Sequence, residues 1–152
     1  MKEHALFVGY LVLTSTAFAL VEIQVEGPSG WASKLPTWKI DNKWTRRFFG
    51  SRPLTGYHLY LLLFIMLIVH IPYALGLAQP NVETELRIIS FVTLFGVVED
   101  FLWFVLNSAF GLHKFRYEHI WWHSDAWWWI MPREYWILGP VGVALYIWSW
   151  MS

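Results

Sequence analysis

Apolar residues fall into four long blocks separated by polar connections that carry glycine and proline. The blocks run from about Ala5 to Glu26, Thr55 to Ala78, Leu86 to Phe110 and Arg133 to Trp150. A helix needs about 20 mostly apolar residues to cross a hydrocarbon core. The first three blocks meet that length. The fourth is shorter and contains Gly139-Pro140, which should kink it or delay its start. The connection from Gly27 to Leu54 holds Pro28, Gly30, Pro36 and Pro53, and a short turn surrounds Pro80. Tyr117 to Ile130 has neither proline nor glycine and is read as a helix lying in the interface. The pattern predicts a single-domain, all-α, polytopic membrane protein: four transmembrane helices, with a Trp-rich interfacial helix between the third and the fourth.

Composition supports a membrane setting. Hydrophobic residues make up 57% and charged residues 14% of the 152 residues, where soluble domains carry about 25% charged residues. The 12 tryptophans suit a membrane–water interface. The absence of cysteine excludes disulfides, thiolate metal sites and Cys nucleophiles. A net charge of zero gives no footprint for nucleic acid. The block after His4 is longer than a signal-peptide core and lacks a small-x-small cleavage site, so it is read as a retained helix.

Loop charges orient the chain. With four spans, one side holds both the 27–54 and the 113–133 connections. It carries Lys34, Lys39, Lys43, Arg46, Arg47, Arg52, Lys114, Arg116 and Arg133, against Lys2 and Arg87 on the other side. The positive-inside rule places the first side in the cytoplasm and both termini outside, as in the plasma membrane of a prokaryote.

Ionisable residues inside spans cost a few kcal/mol each on insertion scales, and this chain keeps several. Glu22 and Glu26 are spaced i, i+4 on one helix face. His58 opens the second block. Glu99 and Asp100 lie deep in the third, with Asn107 a heptad beyond Asp100. His119 and His123 form a His-x-x-x-His pair that a helix would bring to one face. All of these fall in the cytoplasmic half. His70 stands apart and is read as a structural hydrogen-bonding residue near Tyr73. Glu26 alone would pass as a helix end snorkelling to water. Clustered carboxylates in a low-dielectric bundle call for a compensating cation. A His/Glu/Asp set without cysteine suits zinc, iron or manganese.

The arrangement of His58, the His119/His123 pair and an intramembrane acid at Glu99 or Asp100 resembles the site layout of alkaline ceramidases, which are membrane zinc hydrolases with seven spans. Leu54 stands where that family places a serine. That resemblance implies a zinc-activated water acting on a lipid amide. The stretch Phe95-Gly96-Val97-Val98-Glu99-Asp100-Phe101-Leu102-Trp103-Phe104 is similar to the acidic signature of bacterial and archaeal membrane lycopene cyclases, without its proline. That likeness implies acid–base isomerisation by Glu99 and Asp100 with no metal.

The leading expectation is a membrane-embedded, metal-dependent hydrolase acting on an ester or amide of a lipid-like molecule. Glu22, Glu26, His58, Glu99, Asp100, His119 and His123 are the candidate ligands, with Glu99 and Asp100 as catalytic acid–base residues. The carboxylates outnumber what one zinc takes, so a dinuclear zinc site is expected, with iron as the alternative metal. The other readings are a di-iron oxidase or desaturase, a metal-free cyclase-like isomerase, a metal or proton transporter, and a structural subunit. The expected partners are the bilayer, a lipid-like substrate and further copies of the chain in a homo-oligomer.

Overall fold

The computed structural model describes residues 1–49 and 52–151; the side chains of Arg47, Phe48 and Phe49 lie outside that description. The chain is mostly helical. Helix α1 (Lys2–Glu26) leads through a 3-10 turn, Gly27–Ser29, into a long connection. That connection holds strand β1 (Lys39–Ile40), helix α2 (Lys43–Phe49) and strand β2 (Leu54–Thr55). Helix α3 (Gly56–Val69) and the short α4 (Ile71–Ala74) follow, then α5 (Val82–Leu106), the hairpin of β3 (Trp127–Trp128) and β4 (Met131–Pro132), and α6 (Arg133–Trp148).

Among the described residues two helices, not four, have the length and apolarity to cross a membrane: Lys2–Ser29 and Val82–Leu106. Helix α3 has 14 residues and is apolar but short. It stops at His70, two residues before Pro72, whose ring limits continuation of the helix. Helix α6 has 16 residues and runs through Pro140. It therefore starts ahead of the Gly-Pro pair rather than after it.

The bundle is built on α5, which packs closely against both α1 and α6. On α1 the buried face is Leu11, Ser15, Ala19, Glu22 and Glu26. Those steps of three and four residues trace one helical stripe. Ser15 and Ala19, both fully buried, are small enough to admit the neighbouring backbone. At the α5–α6 crossing Ser90 Oγ donates to the Gly142 carbonyl at 2.8 Å. Any side chain at Gly142 would run into Leu94. Among the described residues helix α3 packs more sparsely, with its closest contacts to its sequence neighbours β2 and α4.

Both long connections fold onto the same end of the bundle. In the first, β1 pairs antiparallel with β2, Lys39 opposite Thr55 and Ile40 opposite Leu54. That pairing ties Arg52 and the start of α3 to the bundle. The segment from 111 to 132 is not an interfacial helix. It consists of turns, two 3-10 segments (Leu112–Lys114 and Ser124–Ala126) and the β3–β4 hairpin. Its course follows aromatic packing: Trp103, Phe104, Phe110, Ile120 and Trp122 form one buried cluster with Ala19. Phe104 stacks on Trp122 at 5.7 Å between centroids. Burying Ile120 and Trp122 against the end of α5 outweighs the modest helix preference of a Trp- and His-rich stretch. Asn107, a heptad beyond Asp100, is the C-cap of α5. It donates from Nδ2 to the Gly27 carbonyl at 3.1 Å and accepts from the Ala109 amide.

Candidate functional site

A cavity of about 380 Å³ opens where α1, α3, α5 and α6 meet the two connections. Glu22, Glu26, His58, Glu99, Asp100 and His123 all line it. His119 does not: it sits exposed in a turn four residues before His123. Because no helix carries the pair, the ceramidase-like trio of His58, His119 and His123 is not assembled.

The polar lining divides into two groups. In the first, Glu26 is fixed by its own chain: Oε1 accepts from the Ala32 amide at 2.5 Å and lies 3.4 Å from His58 Nε2. Trp31 and Ala32 hold left-handed backbone, both at φ 47, which costs a non-glycine residue about 1–2 kcal/mol. That conformation turns the Ala32 amide onto Glu26. It also lays the Trp31 ring parallel to His58, 4.0 Å away. Thr55 caps α3 by accepting from the His58 amide, and its hydroxyl contacts His58 Nδ1 at 2.6 Å. With Nδ1 so engaged, Nε2 is the nitrogen presented to Glu26 and the cavity. Glu22, one turn above Glu26, accepts from the Tyr57 hydroxyl at 3.2 Å and faces Glu99 across the α1–α5 contact. Glu99 Oε1 is buried without a hydrogen-bond partner among the described residues.

The second group is built on α5, the 111–132 segment and the start of α6. Asp100 Oδ2 accepts from the Tyr135 hydroxyl at 2.5 Å and is 3.3 Å from His123 Nε2. His123 is buried, and its Nδ1 is 3.8 Å from Glu134 Oε2; neither of those atoms has a hydrogen-bond partner among the described residues. Arg52 donates to Glu134 Oε1 at 3.2 Å, comes within 3.5 Å of His123 Nε2, and lies 4.4 Å over the Trp31 ring. Trp31, whose Nε1 donates to the Pro53 carbonyl, thus touches both groups.

The charge balance of the two groups differs. Asp100 and Glu134 face the guanidinium of Arg52, with Arg133 a further 3.8 Å from Glu134. Among the described residues Glu22, Glu26 and Glu99 are met by the His58 imidazole, the Tyr57 hydroxyl and the Ala32 amide, with no Lys or Arg ion pair to any of them. Such a set is stabilised by a shared proton or by a bound cation. Its oxygen and nitrogen donors suit one borderline-hard dication. Among the described residues no three His, Asp or Glu groups converge as a preformed metal cage, so the first group offers a donor set rather than a finished coordination sphere.

Arg52, Tyr57, Glu134 and Tyr135 escaped the sequence reading. Glu134 beside Arg133 at the mouth of the last apolar block was the available signal for one of them. Arg52 reaches the cavity through the β1–β2 pairing, a long-range contact that no local pattern announces. His70 lies elsewhere, with Nδ1 on the Met66 carbonyl, Nε2 3.5 Å from Glu85 and its ring against Tyr73.

No protein-family model matches the chain, and no curated protein or solved structure matches it.

Proposed function

We propose that this chain is a polytopic membrane protein whose cavity hydrolyses an ester or amide of a lipid-like molecule with the help of one bound divalent cation, zinc in the first instance. In this reading α3 with α4, and α6 with the residues after it, complete a four-span topology. The cavity then lies in the cytoplasmic half, and the termini face outward.

The observation that carries the proposal is the uncompensated acidity of Glu22, Glu26 and Glu99 around His58, buried beside a second group already balanced by Arg52. The cation belongs to the first group, held by those three carboxylates and His58 Nε2. Arg52 beside His123 supplies positive charge where a second ion of a dinuclear site would sit, so one ion is favoured over two. When bound, such a cation polarises the substrate carbonyl and makes a water acidic near neutral pH.

The protein's own groups handle the proton. The attacking water loses a proton to the His123–Asp100 pair, which Tyr135 and Glu134 orient. The same proton returns to the departing oxygen or nitrogen as the C–O or C–N bond breaks. Acid and alcohol, or acid and amine, account for all atoms of substrate and water.

A second reading keeps the site metal-free, with Asp100, His123 and Tyr135 moving protons in an isomerisation. It is favoured by the direct contacts of Asp100 with the Tyr135 hydroxyl and His123 Nε2. Hydrolysis of long-chain acyl esters and amides by the purified protein separates the two readings. Release of fatty acid, abolished by 1,10-phenanthroline and restored by zinc, is the expected result. Release that survives the chelator would favour the metal-free set, and restoration by iron alone would make iron the hydrolytic metal.

A further inference from the structure

The geometry points to a chain-measuring groove: the gap between α3 and the α1–α5 pair holds the single extended apolar tail of the molecule whose polar end sits in the acidic cavity. The gap contains a second cavity of about 450 Å³, walled by Thr14, Ile68 and Phe91 among others. Phe18, Ile65 and Phe95 line both cavities, so the two meet at a waist. The rings of Phe18 and Phe95 face each other there edge to face at 5.3 Å.

Three observations select a tail as the occupant. Among the described residues helix α3 packs more sparsely on the bundle than α5 does on α1 and α6, and a gap is left between α3 and the α1–α5 pair. The acidic cavity supplies a polar destination at one end and the groove an apolar path at the other. Arg87, over the Trp150 ring at 4.1 Å and donating to the Ser149 carbonyl, also puts a charge toward the far end of the groove, about one turn short of Thr84. An apolar chain does not displace that charge. From Glu99 to Arg87 the path along α5 is roughly 18 Å at 1.5 Å per residue, about three-fifths of the thickness of a hydrocarbon core. The substrate class is therefore an amphiphile with one unbranched tail of bounded length. This rests on the lipid-hydrolase reading for the identity of the polar end, but occupancy of the groove needs no turnover.

The full chain in phosphatidylcholine nanodiscs is irradiated with a hexadecanoic acid carrying a mid-chain diazirine, and adducts are mapped by mass spectrometry. Labelling is expected to concentrate on Thr14, Ile68 and Phe91, well above the outward-facing Leu13 and Leu67. Ile65→Trp, which fills the waist, is expected to lower groove labelling several-fold and leave Leu13 and Leu67 unchanged; Phe91→Trp serves if the first variant does not fold. The same pattern in Asp100→Asn would uphold the groove even where hydrolysis is absent. Labelling no heavier in the groove than at Leu13 and Leu67, or labelling indifferent to both tryptophan variants, would overturn it.

Discussion

Asp100→Asn is expected to lower kcat for ester or amide hydrolysis by a factor of about 10²–10⁴, the usual contribution of a positioned general acid–base group. Asparagine keeps the shape of the side chain and can still accept from Tyr135, 2.5 Å away in the wild type. It cannot take up and return a proton. Nor does it hold the His123 ring, 3.3 Å from Asp100, in the tautomer that a carboxylate selects. The loss should fall on kcat rather than on KM, because Asp100 lies beyond the apolar surface that binds the tail. Steady-state kinetics with a long-chain ester check this, with helix content by circular dichroism as the control for folding. Wild-type kcat in a folded Asp100→Asn protein would remove Asp100 from the chemistry.

Phe104→Ala is expected to destabilise the protein by about 3–5 kcal/mol, the range for deleting a buried phenyl ring. Phe104 is fully buried and touches Trp103, Phe110, Phe115 and Trp122. That cluster attaches the 111–132 segment to α5, and the segment delivers His123 to the cavity. Thermal unfolding in detergent should therefore show a large fall in Tm. Phe104→Leu, which keeps most of the apolar volume, should lose considerably less. Equal Tm values for wild type and Phe104→Ala would mean that the segment is held by something other than this cluster.

The parts of this arrangement that were legible in the sequence are those governed by local rules. The i, i+4 spacing of Glu22 and Glu26 put both on one face of α1, and both are buried there against α5. The depth of Glu99 in an apolar block, and of His58 at the start of another, put them in the same half of the bundle, and both line the cavity. What local rules missed was decided by contacts distant in sequence. The stretch 117–130 has no helix breaker, yet the burial of Ile120 and Trp122 on the end of α5 unwinds it. His123 consequently goes inward while His119 stays in an exposed turn. Arg52 looked like one more cytoplasmic charge, and only the β1–β2 pairing draws it to Glu134 and His123. Strain at Trp31 and Ala32 follows from tertiary demands on Glu26 and His58, so nothing in the residues themselves announced it. The lengths of α3 and α6 were overread because an apolar block records what lipid tolerates, while Pro72 and the turn after Trp148 decide where the helices stop.

The central claim is that Glu22, Glu26, His58 and Glu99 hold one divalent cation. The most direct test is metal content by mass spectrometry of the detergent-purified chain, prepared without chelator and equilibrated with zinc. Wild type is compared with a Glu22→Gln/Glu99→Gln variant of unchanged helix content. Close to one tightly held zinc per wild-type chain, absent from the variant, is the predicted result. A folded wild-type protein that retains no stoichiometric metal, or a variant that retains as much as the wild type, would contradict it.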